Sequence, residues 1–127
     1  MSLLLDTSVL IGGVEHPTEE VGISAISIAE LHFGLLVASD QTRAVRLRRL
    51  AAIESAFDPL PFDAETAREC GHLQAVVVQR GGKARRRSFD LAIAATAKVH
   101  GVPLLTFNIG DFKLIEDLIE IRSPQSS

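Results

Sequence analysis

The sequence predicts an α/β domain, a three-layer α/β/α sandwich around a short, mainly parallel sheet. Three observations carry this reading. Short apolar runs alternate with helical segments along the chain. The runs, such as Leu3–Leu5, are apolar throughout rather than alternating, as strands covered on both faces require. No internal repeat, linker or low-complexity stretch interrupts the 127 residues, a length that suits one domain. Residues 1–127 are therefore read as a single domain, with Ser123–Ser127 as a frayed tail.

Each element has a local reason. Leu3–Leu5 reads as a strand and is followed by a small helix from about Ser8 to Val14. Val21–Ala25 is a second strand candidate. Ser27 and Glu30 have capping-box spacing, which opens a helix to about Ala38. Gln41–Ala56 repeats Leu47, Leu50 and Ile53 close to helical period. The prolines of Asp58-Pro59-Leu60-Pro61 end that helix, and the apolar residues allow a short strand around Phe57–Leu60. Asp63 suits the N-cap of a helix to Gln79, and Arg80–Arg87 reads as a polar loop. Ser88 is placed to cap a helix over Phe89–Val99, closed by Gly101 in the C′ position. Val102–Phe107 is the clearest strand. A short turn or helix near Gly110–Phe112 and a last strand at Ile119–Arg122 complete the chain.

Composition narrows the function classes. With 46% hydrophobic and 23% charged residues, the chain is expected to fold rather than remain disordered. One cysteine, Cys70, excludes an intrachain disulfide and any cysteine-based zinc cage. MSLLLDTS lacks the pattern of a secretory signal, and Lys98 and His100 interrupt the most apolar stretch, Leu91–Phe107. A soluble, cytoplasmic protein without a membrane span is expected. The net charge of −3 hides an uneven distribution. Residues 1–42 hold six acids and no Lys or Arg, whereas residues 43–98 hold eleven basic residues against six acids.

The acids follow the strands. Asp6 ends the first strand, Glu30 follows the second, and Asn108 and Asp111 follow PLLTF. Asp90 opens the Phe89–Val99 helix. In an open parallel sheet all strand carboxyl ends share one edge, where ligands bind at the crossover point. Asp6, Glu30, Asp90 and Asp111 can thus meet on one rim. Each also has a structural reading: Asp6 as a cap, Glu30 closing its capping box, Asp90 complementing a helix dipole, Asp111 as a turn acid. Together, however, four acids on one rim repel unless a cation neutralises them. An all-oxygen set without Cys or His spacing suits Mg²⁺ or Mn²⁺ rather than zinc. Divalent ions on carboxylates activate water and stabilise the leaving oxygen in phosphodiester hydrolysis.

The same residues carry a family resemblance. Asp6-Thr7-Ser8 after an apolar run, Ile23-Ser24 through Ala29-Glu30-Leu31 with Phe33-Gly34, Phe89-Asp90-Leu91-Ala92-Ile93-Ala94-Ala95-Thr96-Ala97 with His100-Gly101, and Leu105-Thr106-x-Asn108-x-x-Asp111-Phe112 resemble PIN-domain ribonucleases. The likeness is strongest to the VapC-type toxins of bacterial toxin–antitoxin pairs and spans almost the whole chain. It implies a PIN-like fold and a metal-dependent endoribonuclease that cleaves translation-related RNA, tRNA or rRNA. It implies Asp6, Glu30, Asp90 and Asp111 as the acidic quartet, with Asp6, Asp90 and Asp111 holding Mg²⁺ or Mn²⁺. Thr7, Ser8, Thr106 and Asn108 are expected to support the acids by hydrogen bonds. It further implies a VapB-type antitoxin, a homodimer and a toxin–antitoxin hetero-oligomer. Two rivals stand beside this reading. One is a PIN-like nuclease acting on DNA or structured nucleic acid outside a toxin pair. The other is a receiver-like Mg²⁺-binding module, but Ile23–Ile28 has no Asp to serve as phosphoacceptor.

The remaining features stand apart from these motifs. Arg80, Lys83, Arg85, Arg86 and Arg87 directly precede Asp90 and are expected to grip RNA phosphates. Arg43, Arg46, Arg48 and Arg49 read as the solvated face of a helix, with help in binding substrate or antitoxin as the alternative. His16, His32, His72 and His100 show no metal-ligand spacing. Gly81-Gly82-Lys83 is not a P-loop. Cys70 reads as a packed core thiol, and most of the six Phe residues as core.

Overall fold

A computed structural model describes residues 1–13 and 20–124 of the chain. Four strands form one sheet: β1 (Leu3–Leu5), β2 (Val21–Ile23), β3 (Leu104–Leu105) and β4 (Ile121–Arg122). Their order is β2-β1-β3-β4, and every pairing is parallel. Leu4 sits opposite Gly22 on one side and Leu104 on the other. The chain moves outward from β1 to β2, then returns to place β3 on the opposite side of β1. The topological switch therefore lies between β1 and β3.

Five helices cover the sheet: α1 (Thr7–Gly12), α2 (Ala25–Leu36), α3 (Asp40–Ala56), α4 (Ala64–Gln79) and α5 (Ser88–Val99). Strand alternation sends Leu4 and Leu104 to one face and Leu3, Leu5, Ile23 and Leu105 to the other. The first face packs on Leu73 and Val77 of α4 and on Leu91–Ala97 of α5. The second packs on Val9, Leu31, Leu35, Leu50 and Ile53 of α1, α2 and α3. Helix α5 is buried along its whole middle, from Leu91 to Ala97. Its four alanines within that run keep it thin enough to lie close under the sheet. Lys98 at its end is ion-paired to Glu69 of α4.

Most sequence expectations hold within a residue or two, and the departures have physical reasons. Asp63 caps α4, accepting the Thr66 N–H at 3.0 Å. Gly101 follows α5 with φ +66°, the left-handed conformation that glycine adopts at no steric cost. The capping box at Ser27 and Glu30 does not form. Ser24 caps α2 instead, accepting the Ile26 N–H at 3.0 Å, and Ser27 is fully buried. Ser88 does not cap α5. A single 3₁₀ turn over Ala84–Arg87 runs directly into the helix, so Ser88 is its first residue rather than its boundary. The strand expected over Phe57–Leu60 shrinks to one parallel bridge between Ser24 and Leu60, because the flanking prolines leave few N–H groups to extend it. Val102–Phe107 contributes only two strand residues, since the chain turns at Thr106 to serve the site below. A seven-residue 3₁₀ segment, Ile109–Ile115, carries the Gly110–Phe112 turn. Val14 and His16, and residues 125–127 of the expected tail, lie outside the described residues.

Phenylalanine burial also departs from expectation. Phe112 is fully buried, but Phe33, Phe62, Phe89 and Phe107 are exposed. Cys70 is buried as expected, and burial pushes its thiol pKa up. Arg43 and Arg46 are not merely solvated. They donate to the Ala38 carbonyl at 3.0 Å and the Gly34 carbonyl at 2.7 Å, tying α3 to the end of α2. Among the described residues, no helix is long and apolar enough to cross a membrane.

Candidate active site

The switch point is where the polar network concentrates. Asp6 leaves β1 and sits at the N-cap position of α1, yet its side chain makes no capping bond. Its Oδ2 instead accepts from Ser8 Oγ and from Thr106 Oγ1, each at 2.8 Å. Those hydroxyls are themselves fixed by backbone amides that follow β3. Phe107 N–H donates to Ser8 Oγ at 3.1 Å, and Asn108 N–H donates to Thr106 Oγ1 at 2.9 Å. Two amides thus orient two hydroxyls, and both hydroxyls point their protons at one carboxylate. Asp6 is only 4% exposed, so this charge is held largely out of water.

Glu30 is reached from the other side. Thr7 Oγ1 donates to Glu30 Oε1 at 2.7 Å and lies 2.9 Å from Ser27 Oγ. Thr7 and Ser8 therefore split their work, one holding Glu30 and the other Asp6. Burial and the neighbouring Asp6 charge raise the Glu30 pKa, and the Thr7 hydrogen bond partly offsets them. This explains why Glu30 leaves its capping role: α2 already has Ser24 as a cap, and Glu30 is claimed by Thr7.

Asp90 lies in the first turn of α5, where Arg87 precedes it by three residues. Its pKa is pushed up to about 6, first by burial and then by repulsion from Asp6, Glu30 and Asp111, with Arg87 pulling the other way. All four acids thus share one electrostatic neighbourhood. Arg87 bridges two of them: one guanidinium nitrogen is 3.0 Å from Asp111 Oδ1 and 3.7 Å from Asp90 Oδ2.

The donor set is all oxygen, as a hard divalent cation prefers. Among the described residues, no three His, Cys, Asp or Glu side chains stand close enough to form a ready-made cage. The repulsion from Asp6, Glu30 and Asp111, which adds to burial in raising Asp90, is the demand such an ion would meet.

The expected supporting residues divide. Thr7, Ser8 and Thr106 act through their side chains, and Asn108 through its backbone N–H. The basic loop divides as well. Arg80 turns away to Asp117 in a two-pronged contact at 2.7 and 3.1 Å, and also donates to the Leu114 carbonyl. That bond ties the end of α4 to the Ile109–Ile115 segment. Lys83, Arg86 and Arg87 instead line a cavity beside Asp111. Arg85 is exposed. Sequence reading missed the Arg87 bridge and the exposed rings of Phe89 and Phe107, which directly follow or precede site residues. Clustering of aromatics beside an acidic residue was the available signal.

A PIN-domain family model matches residues 3–118. The chain is a PIN domain of the VapC family. It is 31% identical to the Ribonuclease VapC of Rickettsia bellii over 98% of both chains. It is 37% identical to the Ribonuclease VapC4 of Mycobacterium tuberculosis over 81% of this chain and 83% of that one. Among solved structures, it resembles VapBC-5 from Mycobacterium tuberculosis, a toxin–antitoxin system, with a TM-score of 0.77 and 28% identity over 96% of each chain. It also resembles VapBC2 from Rickettsia felis bound to a promoter DNA fragment, with a TM-score of 0.79 and 25% identity over 97% and 98%.

In this PIN domain, the Thr106 hydroxyl joins β3 to Asp6 across the switch. Thr106→Val keeps the shape and removes the donor. The buried Asp6 carboxylate loses one of its two hydroxyl partners, and the Asn108 N–H loses its acceptor. The expected loss of stability is about 1–3 kcal/mol, read from chemical denaturation midpoints.

Proposed function

We propose that this protein is a Mg²⁺- or Mn²⁺-dependent endoribonuclease, the toxin of a type II toxin–antitoxin pair, acting in the cytoplasm on translation-related RNA such as tRNA or rRNA. The observation that carries the reading is that Asp6, Glu30, Asp90 and Asp111 share one neighbourhood at the switch point, where burial first, and then repulsion from the other three, pushes Asp90 up to about 6. The family relatives named as ribonucleases support the choice of RNA.

Asp6, Asp90 and Asp111 would hold the divalent ion, which when bound lowers the pKa of water and stabilises the leaving oxygen. Glu30, whose pKa is raised chiefly by burial, would accept the proton of the attacking water. That water adds to phosphorus as the P–O bond to the next nucleotide breaks, and the leaving oxygen takes up a proton from solvent. Thr7, Ser8, Thr106 and the Asn108 amide keep Glu30 and Asp6 in place throughout. Lys83, Arg85, Arg86 and Arg87 are the cations beside the site and supply the phosphate grip. Arg80 would contribute to RNA binding only by positioning that loop through Asp117.

The antitoxin is expected to be of the VapB type. Structures of relatives are toxin–antitoxin complexes, and this chain carries a matching surface. Phe33, Leu36 and Val37 at the end of α2, with Val45 and Leu47 of α3, are at least half exposed. A separate pocket lined by Ile11, Leu31, Gly34 and Arg46 has Glu30 in its wall. An arginine from the partner suits the acids, since Arg87 already shows that a guanidinium fits between Asp90 and Asp111. A homodimer within a toxin–antitoxin hetero-oligomer is the expected assembly.

The test is incubation of antitoxin-free protein with total bacterial RNA and, separately, with DNA. Mg²⁺, Mn²⁺ and EDTA arms are run, and fragments are mapped by sequencing. Discrete RNA cuts that require the ion are expected. Cleavage of DNA alone, or of RNA equally well in EDTA, would overturn the reading.

A further inference from the structure

A cavity of about 250 Å³ opens beside Asp111, between α4, the Ala84–Arg87 turn and the Ile109–Ile115 segment. We propose that it is a subsite for one unstacked nucleotide of the RNA, adjacent to the bond that is cut. The proposal rests on the ribonuclease reading above and adds where base preference arises.

The lining has two parts. Val77, Leu91 and Leu114 form an apolar floor, and Lys83, Arg86 and Arg87 form a cationic rim. A nucleotide has the matching two-part chemistry, a flat ring with apolar faces and an anionic phosphate. Proteins that read RNA sequence commonly take single unstacked bases and stack them on aromatic or guanidinium planes. Arg86 and Arg87 bring two guanidinium groups to this lining. The volume is several times the ~30 Å³ share of one water, so the space is more than a packing defect.

Its position ties it to the chemistry. Arg87 lines the cavity and also touches Asp90 and Asp111, and Asp111 itself lines the cavity wall. A nucleotide seated there would carry its neighbouring phosphodiester to the acids. Its phosphate would compete with Asp111 for Arg87, and so exchange an internal ion pair for a substrate contact.

Two glycines shape the space differently. A Cβ at Gly82 would meet Leu114 Cδ1 at 2.5 Å and Val77 Cγ1 at 2.7 Å. The bare backbone lets the loop sit down on α4, where Gly82 N–H donates to the Val77 carbonyl at 2.8 Å. This wall is therefore fixed. A Cβ at Gly110 would meet nothing within 4 Å, so packing gives no reason for a glycine there. Gly110 leaves the cavity open.

The experiment uses an oligoribonucleotide spanning a cut site mapped on total RNA. Abasic ribose replaces each flanking nucleotide in turn. Wild type is compared with Gly110→Leu and with the Lys83→Ala/Arg86→Ala double variant. At one flanking position, the abasic substrate should lower wild-type kcat/KM about tenfold to a hundredfold, the usual worth of one stacked base. Gly110→Leu should lower kcat/KM on the intact substrate by a similar factor and be indifferent to the abasic change. Should that variant fold poorly by circular dichroism, the double variant carries the test. It should raise KM and flatten the preference at the same position. Losses that simply multiply, or an unchanged base preference in both variants, overturn the subsite and leave the cavity to a protein side chain. Absence of any wild-type cleavage would instead overturn the ribonuclease reading itself.

Discussion

Replacing Asp90 by Asn is expected to abolish ion-dependent RNA cleavage, by about a thousandfold or more, while leaving the fold intact. Removing one ion-holding carboxylate forfeits on the order of 4 kcal/mol of transition-state stabilisation. The structural argument gives a second, independent readout. The folded-state pKa of Asp90 is about 6, above the ordinary value of 3.8. The folded state therefore binds this proton more tightly than the unfolded chain does. As pH rises from about 4 to about 6 and beyond, the charge appears in an unwelcoming site and folding loses stability. At ~1.4 kcal/mol per unit, the full cost is on the order of 2–3 kcal/mol at pH 8. Asn carries no charge at any pH. The ion-free variant should thus melt above wild type at pH 8 and match it near pH 4. Added Mg²⁺ should raise the wild-type melting temperature at pH 8 and move the variant little. A fully active Asp90→Asn protein, or one destabilised at pH 8, would remove Asp90 from the site.

Phe112→Ala is expected to cost about 3–5 kcal/mol, a large fraction of a small domain's total stability. Phe112 heads the fully buried side chains in size and packs in the cluster that joins β1, α4 and α5. It also directly follows Asp111, so the cavity it leaves would loosen the segment that presents that acid. Denaturant titration should show the stability loss, and single-turnover cleavage well below the melting temperature should show an activity loss beyond it. Phe112→Leu should recover most of both. If Phe112→Ala unfolds near wild type, the Ile109–Ile115 segment is not anchored as described.

Much of this was readable from the chain alone, for identifiable reasons. Apolar runs without alternation reported a sheet buried on both faces, whereas the strand order that brings Asp6 beside Thr106 came only with the structure. The aligned spacing of the family motifs located the quartet. What could not be read depended on competition between partners. Ser24 and Ser27 are equally good caps by type, and only the packed structure shows Ser27 taken into the core beside Thr7. The five cations of the Arg80–Arg87 stretch look alike in sequence. Arg80 is drawn off by Asp117, thirty-seven positions away, whereas Arg87 falls between two acids. The exposed phenylalanines were not legible because residue type alone is a weak guide to burial.

The Thr106–Asp6 hydrogen bond joins residues 100 positions apart. Its reach has a temporal meaning. On a ribosome the chain emerges from its N-terminus, so Asp6 and Glu30 are free in the cell long before Thr106 and Asp111 have been made. A nascent chain that stops short of β3 has Asp6 without its Thr106 partner and no means to supply it. For the ribonuclease proposed above, activity would be withheld until synthesis is nearly finished. The interval between completion of β3 and final folding would be the time in which a partner must arrive.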